Sequence, residues 1–218
     1  MKRHWVVTTV AFSTGIFGLA AWFASRSATG APPATAASVV SQHAVTASQV
    51  VAASADERRA VLARGEHLVL TSGCNDCHTP FKMGPNGPEP DRSRMLSGHP
   101  EAVHLPPPPA ASMPWLVAAD ATNTAWAGPW GVSFTANLTP DIETGLGGWS
   151  EAEFARAIKS GRHRGSGRPV LPPMPIPAYR HFSEGELAAI FAYLGSIPAV
   201  KNRVPEPSPP AAPKRVHL

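Results

Sequence analysis

The stretch Cys74-Asn75-Asp76-Cys77-His78 decides how the rest of the chain is read. Its pattern, C-x-x-C-H, is that of a covalent haem c attachment site. Each thiol adds across one vinyl group of the porphyrin to give a thioether. The two-residue spacer brings both sulfurs to one edge, and the adjoining His78 falls under the iron as the proximal ligand. Two other chemistries use paired cysteines. A thioredoxin-like redox pair follows a strand, whereas the residues before Cys74 pattern as a helix. A zinc site needs two further thiols or a spaced histidine partner, and no such spacing follows. Cys74 and Cys77 are the two cysteines of the chain, so haem attachment uses both and leaves no disulfide.

Upstream of the motif, Ser54 with Glu57 three residues on makes a capping box, which predicts a helix starting at Ser54. Val61, Leu62, Gly65, Leu68 and Val69 fall on one face, and Gly73 supplies a stop. Gly65 in mid-helix costs about 1 kcal/mol against Ala and permits close crossing by another helix. Residues 27–53, rich in Ala, Ser, Thr and Pro, read as a flexible linker. Residues 1–26 read as a membrane anchor or signal peptide. Lys2 and Arg3 precede an uncharged run from Trp5 to Ala24, long enough at ~1.5 Å per residue to span roughly 30 Å of hydrocarbon. The length favours a retained anchor over a cleaved signal, and the basic flank places the remainder outside.

Downstream, Thr79 to Gly148 holds no strong helix. Pro80, Gly84-Pro85, Gly87-Pro88 and Pro106 to Pro109 break any period, and Trp130 to Leu138 alternates loosely as one short strand. Two short helices follow. Ser150 with Glu153 starts one, with Trp149 set to staple onto Phe154 and Gly161 closing it. Ser183 with Glu186 starts the other, with Phe182 facing Leu187. Leu187, Ile190, Phe191 and Leu194 form its apolar stripe, and Gly195 caps it. After Pro198 the chain is Pro-rich and basic, an extended strap or a loose end.

The 218 residues suit one domain with extensions, and 25 prolines and 18 glycines signal long irregular connections. The net charge is +4, and setting aside Lys2 and Arg3 leaves 4 − 2 = 2. That is too weak a bias for a nucleic-acid partner. Haem c attachment implies the periplasmic side of a bacterial inner membrane, or its organellar equivalent.

An iron held by His78 has one further axial position, and what fills it decides the chemistry. The candidates are Met83, Met95, Met113 and Met174, with His67, His99, His104, His163 and His181 weighing less. Met174 lies in Leu171-Pro172-Pro173-Met174-Pro175, where prolines on both sides stiffen the backbone. A stiff loop holds a thioether on iron in both oxidation states, and this soft ligand favours Fe(II). His78 is expected to give its other ring N–H to a backbone carbonyl, with the Gly84 to Pro88 loop as the expected donor of that carbonyl.

The stretches CNDCHTP at 74–80, GPWGVSFTANLTPDIETGLGGW at 128–149, GRPVLPPMP at 167–175 and AIFAYLGSIPAVKNRVPEP at 189–207 carry a resemblance. Between about residues 60 and 207 the chain resembles class I c-type cytochromes. The nearer likeness is to monohaem, membrane-linked bacterial cytochromes related to the cytochrome subunits of periplasmic dehydrogenases. The resemblance implies an all-α cytochrome c domain over 54–207 with a long irregular insert after the haem motif, and a Pro-rich tail at 208–218. It implies one haem c, His78 proximal, Met174 distal, and Gly65 meeting the C-terminal helix near Tyr193. It makes Asn137 to Asp141 and Trp149 parts of the haem pocket, with Trp130, Trp149 or Arg168 on a propionate. The function implied is single-electron transfer between a periplasmic dehydrogenase and a terminal oxidase or another cytochrome, without catalysis. A peroxidase-like enzyme or haem sensor is the alternative. It requires a labile distal position with His99 or His104 as acid–base group.

Overall fold

The computed structural model describes residues 47–108 and 116–210, with side chains from residue 54 onward. The apolar run Trp5–Ala24, the linker as far as residue 46, Met113 and residues 211–218 lie outside the described residues. Among the described residues no helix is long and apolar enough to cross a membrane.

The first helix, α1 (Ala47–Thr71), runs straight through Ser54 instead of starting there, so helical backbone reaches into the expected linker. Its buried face is Gly65, Leu68 and Val69, whereas Val61 is 44% exposed. Gly73, at φ +73°, turns the chain into α2 (Cys74–His78), the single turn that carries the haem motif. Two later helices start as their capping boxes predict. In α3 (Glu151–Ser160), Ser150 and Glu153 bond reciprocally, and Gly161 closes the helix. In α5 (Glu184–Leu194), Ser183 and Glu186 do the same. Between them lies α4 (Ile176–Tyr179), one turn directly after Met174.

The expectation of an all-α domain is overturned. Two antiparallel sheets occupy the stretch after the haem motif. A hairpin pairs β1 (Phe81–Gly84) with β2 (Gly87–Pro90). A three-stranded sheet has the order β3 (Ala118–Ala119), β4 (Ala125–Gly128), β5 (Gly131–Phe134). The strand expected within Trp130–Leu138 is β5, paired with β4 in this sheet. These strands are two to four residues long. Such short segments leave little room for an apolar alternation, so the Pro- and Gly-rich sequence reads as irregular.

One apolar core joins the helices. Leu68 and Val69 of α1, Phe154 of α3, and Leu187, Ile190 and Leu194 of α5 are buried together with Leu96, Leu146 and Ile197. Trp149 and Phe182 lie against the same cluster. The ring centroids of Phe154 and Phe191 are 5.4 Å apart. The crossing of α1 and α5 is centred on Gly65. A side-chain carbon there would meet Ala189 of α5 at its carbonyl and Tyr193 at 2.7 Å from its Cβ. The crossing expected from the resemblance is therefore present.

The chain after α5 is a strap. Asn202, 1% exposed, accepts from Arg94 Nη2 (2.8 Å) and the Glu101 N–H (2.9 Å), and donates to the Ser97 (2.7 Å) and His99 (2.8 Å) carbonyls. Asn137 donates to the Val200 carbonyl at 2.8 Å. Further on, Ser208 and Val132 exchange backbone hydrogen bonds, both at 2.9 Å. Of the two readings of this segment, the strap holds as far as Ser208.

Candidate haem-binding site

Cys74, Cys77 and His78 share the single turn α2 between the end of α1 and Pro80. Three other segments take up the backbone carbonyls around that turn. The Ser72 carbonyl accepts the Tyr179 hydroxyl. The Asp76 carbonyl accepts Asn123 Nδ2 at 2.7 Å. The His78 carbonyl accepts the Gly98 N–H at 2.8 Å. Asp76 needs an outside donor because its i+4 neighbour is Pro80, which has no N–H.

The His78 ring is buried, and its Nδ1 lies 2.7 Å from the Ala136 carbonyl oxygen. A carbonyl only accepts, so Nδ1 carries the proton and the Nε2 lone pair is left for a metal. Burial pushes the imidazole below its usual pKa, with the Ala136 bond opposing in part, which keeps the ring neutral. The expected acceptor, a carbonyl in Gly84–Pro88, is replaced by Ala136 because that loop closes the β1–β2 hairpin. Ala136 lies just past β5 and faces the motif directly.

Both thiols are free. Burial pushes Cys74 up to about 11, and burial followed by the Asp76 charge raises Cys77. A redox-active thiol pair works through a lowered pKa, so these cysteines do not have the character of a thioredoxin-like nucleophile. Among the described residues no group of three or more His, Cys, Asp or Glu is arranged to hold a metal ion.

The candidates for the opposite side of the iron are sorted by exposure and bonding. Met83 stands 77% exposed on β1, and Met95 packs on the core. His67, His104, His163 and His181 are exposed. His99 is fully buried. Its Nε2 donates to the Val103 carbonyl (3.1 Å), and its Nδ1 faces the Thr124 hydroxyl (2.9 Å), so neither nitrogen is open. Met174 is half-buried in a loop held at both ends. On one side Ser133 Oγ of β5 donates to the Pro172 carbonyl at 2.5 Å. On the other, Tyr179 reaches Ser72.

Of the three residues expected near a propionate, Arg168 is exposed and pairs with Glu206 at 3.2 Å. Trp149 meets His163 edge-on at 4.9 Å beneath Arg164. Trp130 folds over Gly128 and keeps a buried indole N–H without an acceptor, as does Trp126. Orphaned buried donors of this kind call for an anionic or carbonyl partner. The donor set therefore fits haem: two thiols and a tautomer-fixed imidazole on one turn, a half-buried thioether, and unpartnered indole donors.

The sequence reading missed Ala136, Asn123, Tyr179 and Asn202. Pro80 was the available signal for Asn123, since it leaves the Asp76 carbonyl without a helical partner.

No protein-family model matches the chain. It is 28% identical over 158 residues to the cytochrome c subunit of the quinone alcohol dehydrogenase of Gluconobacter oxydans, covering 71% of this chain and 26% of that subunit. It is 28% identical over 144 residues to the gluconate 2-dehydrogenase cytochrome c subunit of Pantoea cypripedii, covering 65% and 25%. A shorter match, 38% identical over 87 residues, is to a nicotinate dehydrogenase component of Pseudomonas putida, covering 40% of this chain and 7% of that protein. The matched region thus spans about a quarter of the alcohol and gluconate dehydrogenase subunits. The resemblance drawn from the sequence is borne out: the chain is similar to the c-type cytochromes associated with dehydrogenases.

Proposed function

We propose that this chain carries single electrons through one covalent haem c, with Cys74 and Cys77 as thioethers and His78 and Met174 as axial ligands. The observation that carries the reading is the His78 ring, fixed by Ala136 with Nε2 free, on the same turn as two unpaired thiols. Haem bound there supplies a one-electron Fe(III)/Fe(II) couple, and His/Met ligation raises its potential. The prolines around Met174 and the two hydrogen bonds at the ends of its loop hold the thioether in place, so little rearranges on electron transfer. Trp130 offers its indole N–H to a propionate.

The named relatives make a dehydrogenase the electron donor in this reading, with a terminal oxidase or another cytochrome as acceptor. The site of action is the periplasmic face of the inner membrane, reached through the apolar N-terminal segment. The chain acts as a carrier and not as a catalyst. The engaged nitrogens of His99 and the exposure of His104 weigh against a distal acid–base group and hence against the peroxidase reading.

Intact mass of the protein made in an exporting, haem-attaching host tests the cofactor: one added haem is expected, and none removes the proposal. A redox titration of Met174→His beside wild type tests the ligand. The variant is expected to show a markedly lower potential and no iron–sulfur charge-transfer band. An unchanged spectrum takes Met174 out of its role.

A further inference from the structure

We infer that Tyr179 is a positioning residue that keeps the Met174 loop closed over the haem, by bonding its hydroxyl to the backbone two residues before Cys74. The inference deepens the proposed function and rests on its assignment of Met174 as a ligand.

The Ser72 carbonyl lies just beyond the end of α1, where helix carbonyls have lost their intrahelical donors. Its partner is the Tyr179 O–H, 107 residues later in the chain. From Met174 to Tyr179 the backbone is one short rigid unit. The Ile176 N–H donates to the Met174 carbonyl (2.9 Å), the Ala178 and Tyr179 N–H groups donate to the Pro175 carbonyl (2.9 and 3.1 Å), and Pro175 and Pro177 restrict φ. A displacement of Tyr179 is therefore passed on to Met174.

The phenol is itself held in place. Its ring lies 5.4 Å from that of Phe182, which packs on the core. Burial, with the Asp76 charge adding to it, raises its pKa, so the hydroxyl keeps its proton throughout the neutral range. The other end of the loop is tied to β5 through Ser133 and Pro172. Removing the Tyr179 bond takes away this end's hydrogen bond to the segment before Cys74 and leaves buried Ile176 and the Lys159 bonds to the Arg180 and Phe182 carbonyls to hold it, so Met174 parts from the iron more readily. The loop thus ties the segment carrying the proximal ligand to the segment carrying the distal one.

The test uses the full haem-loaded chain and Tyr179→Phe, which keeps the ring and its packing and removes one hydroxyl. Two signals are followed: the pH at which the oxidised protein loses its iron–sulfur charge-transfer band, and the CO affinity of the reduced protein. Loss of one ordinary hydrogen bond is worth about a tenfold change in an opening equilibrium. The variant is therefore expected to lose the band about one pH unit earlier and to bind CO about tenfold more readily. A band and a CO affinity that Tyr179→Phe leaves unmoved overturn the role of Tyr179 alone. A wild-type protein with no such band overturns both this role and the assignment of Met174.

Discussion

Gly65 of α1 lies so close to Ala189 of α5 that a side-chain carbon at position 65 would run into the Ala189 carbonyl oxygen and fall 2.7 Å from its carbonyl carbon. Both atoms belong to helix backbone and cannot turn aside. Gly65→Ala is therefore expected to push the helices apart and cost about 3 kcal/mol, the upper end of overpacking, despite the better helix propensity of Ala. Urea unfolding of the two proteins under one set of conditions measures this. A neutral or stabilising result contradicts the crossing.

Asn123 serves the turn that carries the C-x-x-C-H motif from a distance, with its amide on the Asp76 carbonyl and its backbone at φ +57°. Asn123→Gly keeps that backbone and deletes the donor. Asn123→Asp keeps the shape and replaces the donor with a charged acceptor. The first is expected to lower stability by about 1 kcal/mol, the net value of one hydrogen bond, and the second by more. Thermal unfolding of both haem-loaded variants ranks them, and the reverse order argues that the backbone conformation matters and the bond does not.

Asn202 is buried with both ends of its amide engaged. Asn202→Ala leaves the Ser97 and His99 carbonyls without that donor and is expected to cost about 3 kcal/mol. Asn202→Asp turns an acceptor oxygen toward those two carbonyls and should do no better. Equal stability of Asn202→Ala and wild type in denaturant titration refutes the clasp.

His99 gives the protein a pH dependence of known sign. Burial holds its folded pKa below the ordinary 6.5, with the Val103 carbonyl and Asp120 opposing. Below pH 6.5 the unfolded chain therefore binds more protons than the native one. Stability is full above that value and declines as pH falls toward the folded pKa. Unfolding midpoints at pH 7.5 and pH 5 should differ less in His99→Gln than in wild type. An equal difference assigns the acid sensitivity elsewhere.

Local signals in the sequence are reliable where the structure uses them locally. The capping boxes at Ser150 and Ser183 bind partners three residues away and start α3 and α5 as expected. The same signature at Ser54 starts nothing, because α1 already runs from Ala47. Apart from β5, whose buried positions alternate and whose stretch was expected as a strand, the strands were illegible for a physical reason: they are two to four residues long, β1 and β2 expose most of their positions, and β3 and β4 do not bury every other residue. His78 was readable from its motif, but its acceptor Ala136 lies 58 residues onward, at a distance no local pattern encodes. Met174 stood out through its flanking prolines. Tyr179, an ordinary residue of a one-turn helix, carried no comparable mark.

Among the described residues the strap makes the last fastenings, Asn202 on segments laid down more than a hundred residues earlier and Ser208 on β5, 76 residues earlier. During synthesis the segments around Ser97, His99 and β5 therefore emerge from the ribosome long before their buckle does. Any shortened version made for expression has to run past Ser208, and a reporter fused nearer than that would prise open the face it was meant to leave untouched.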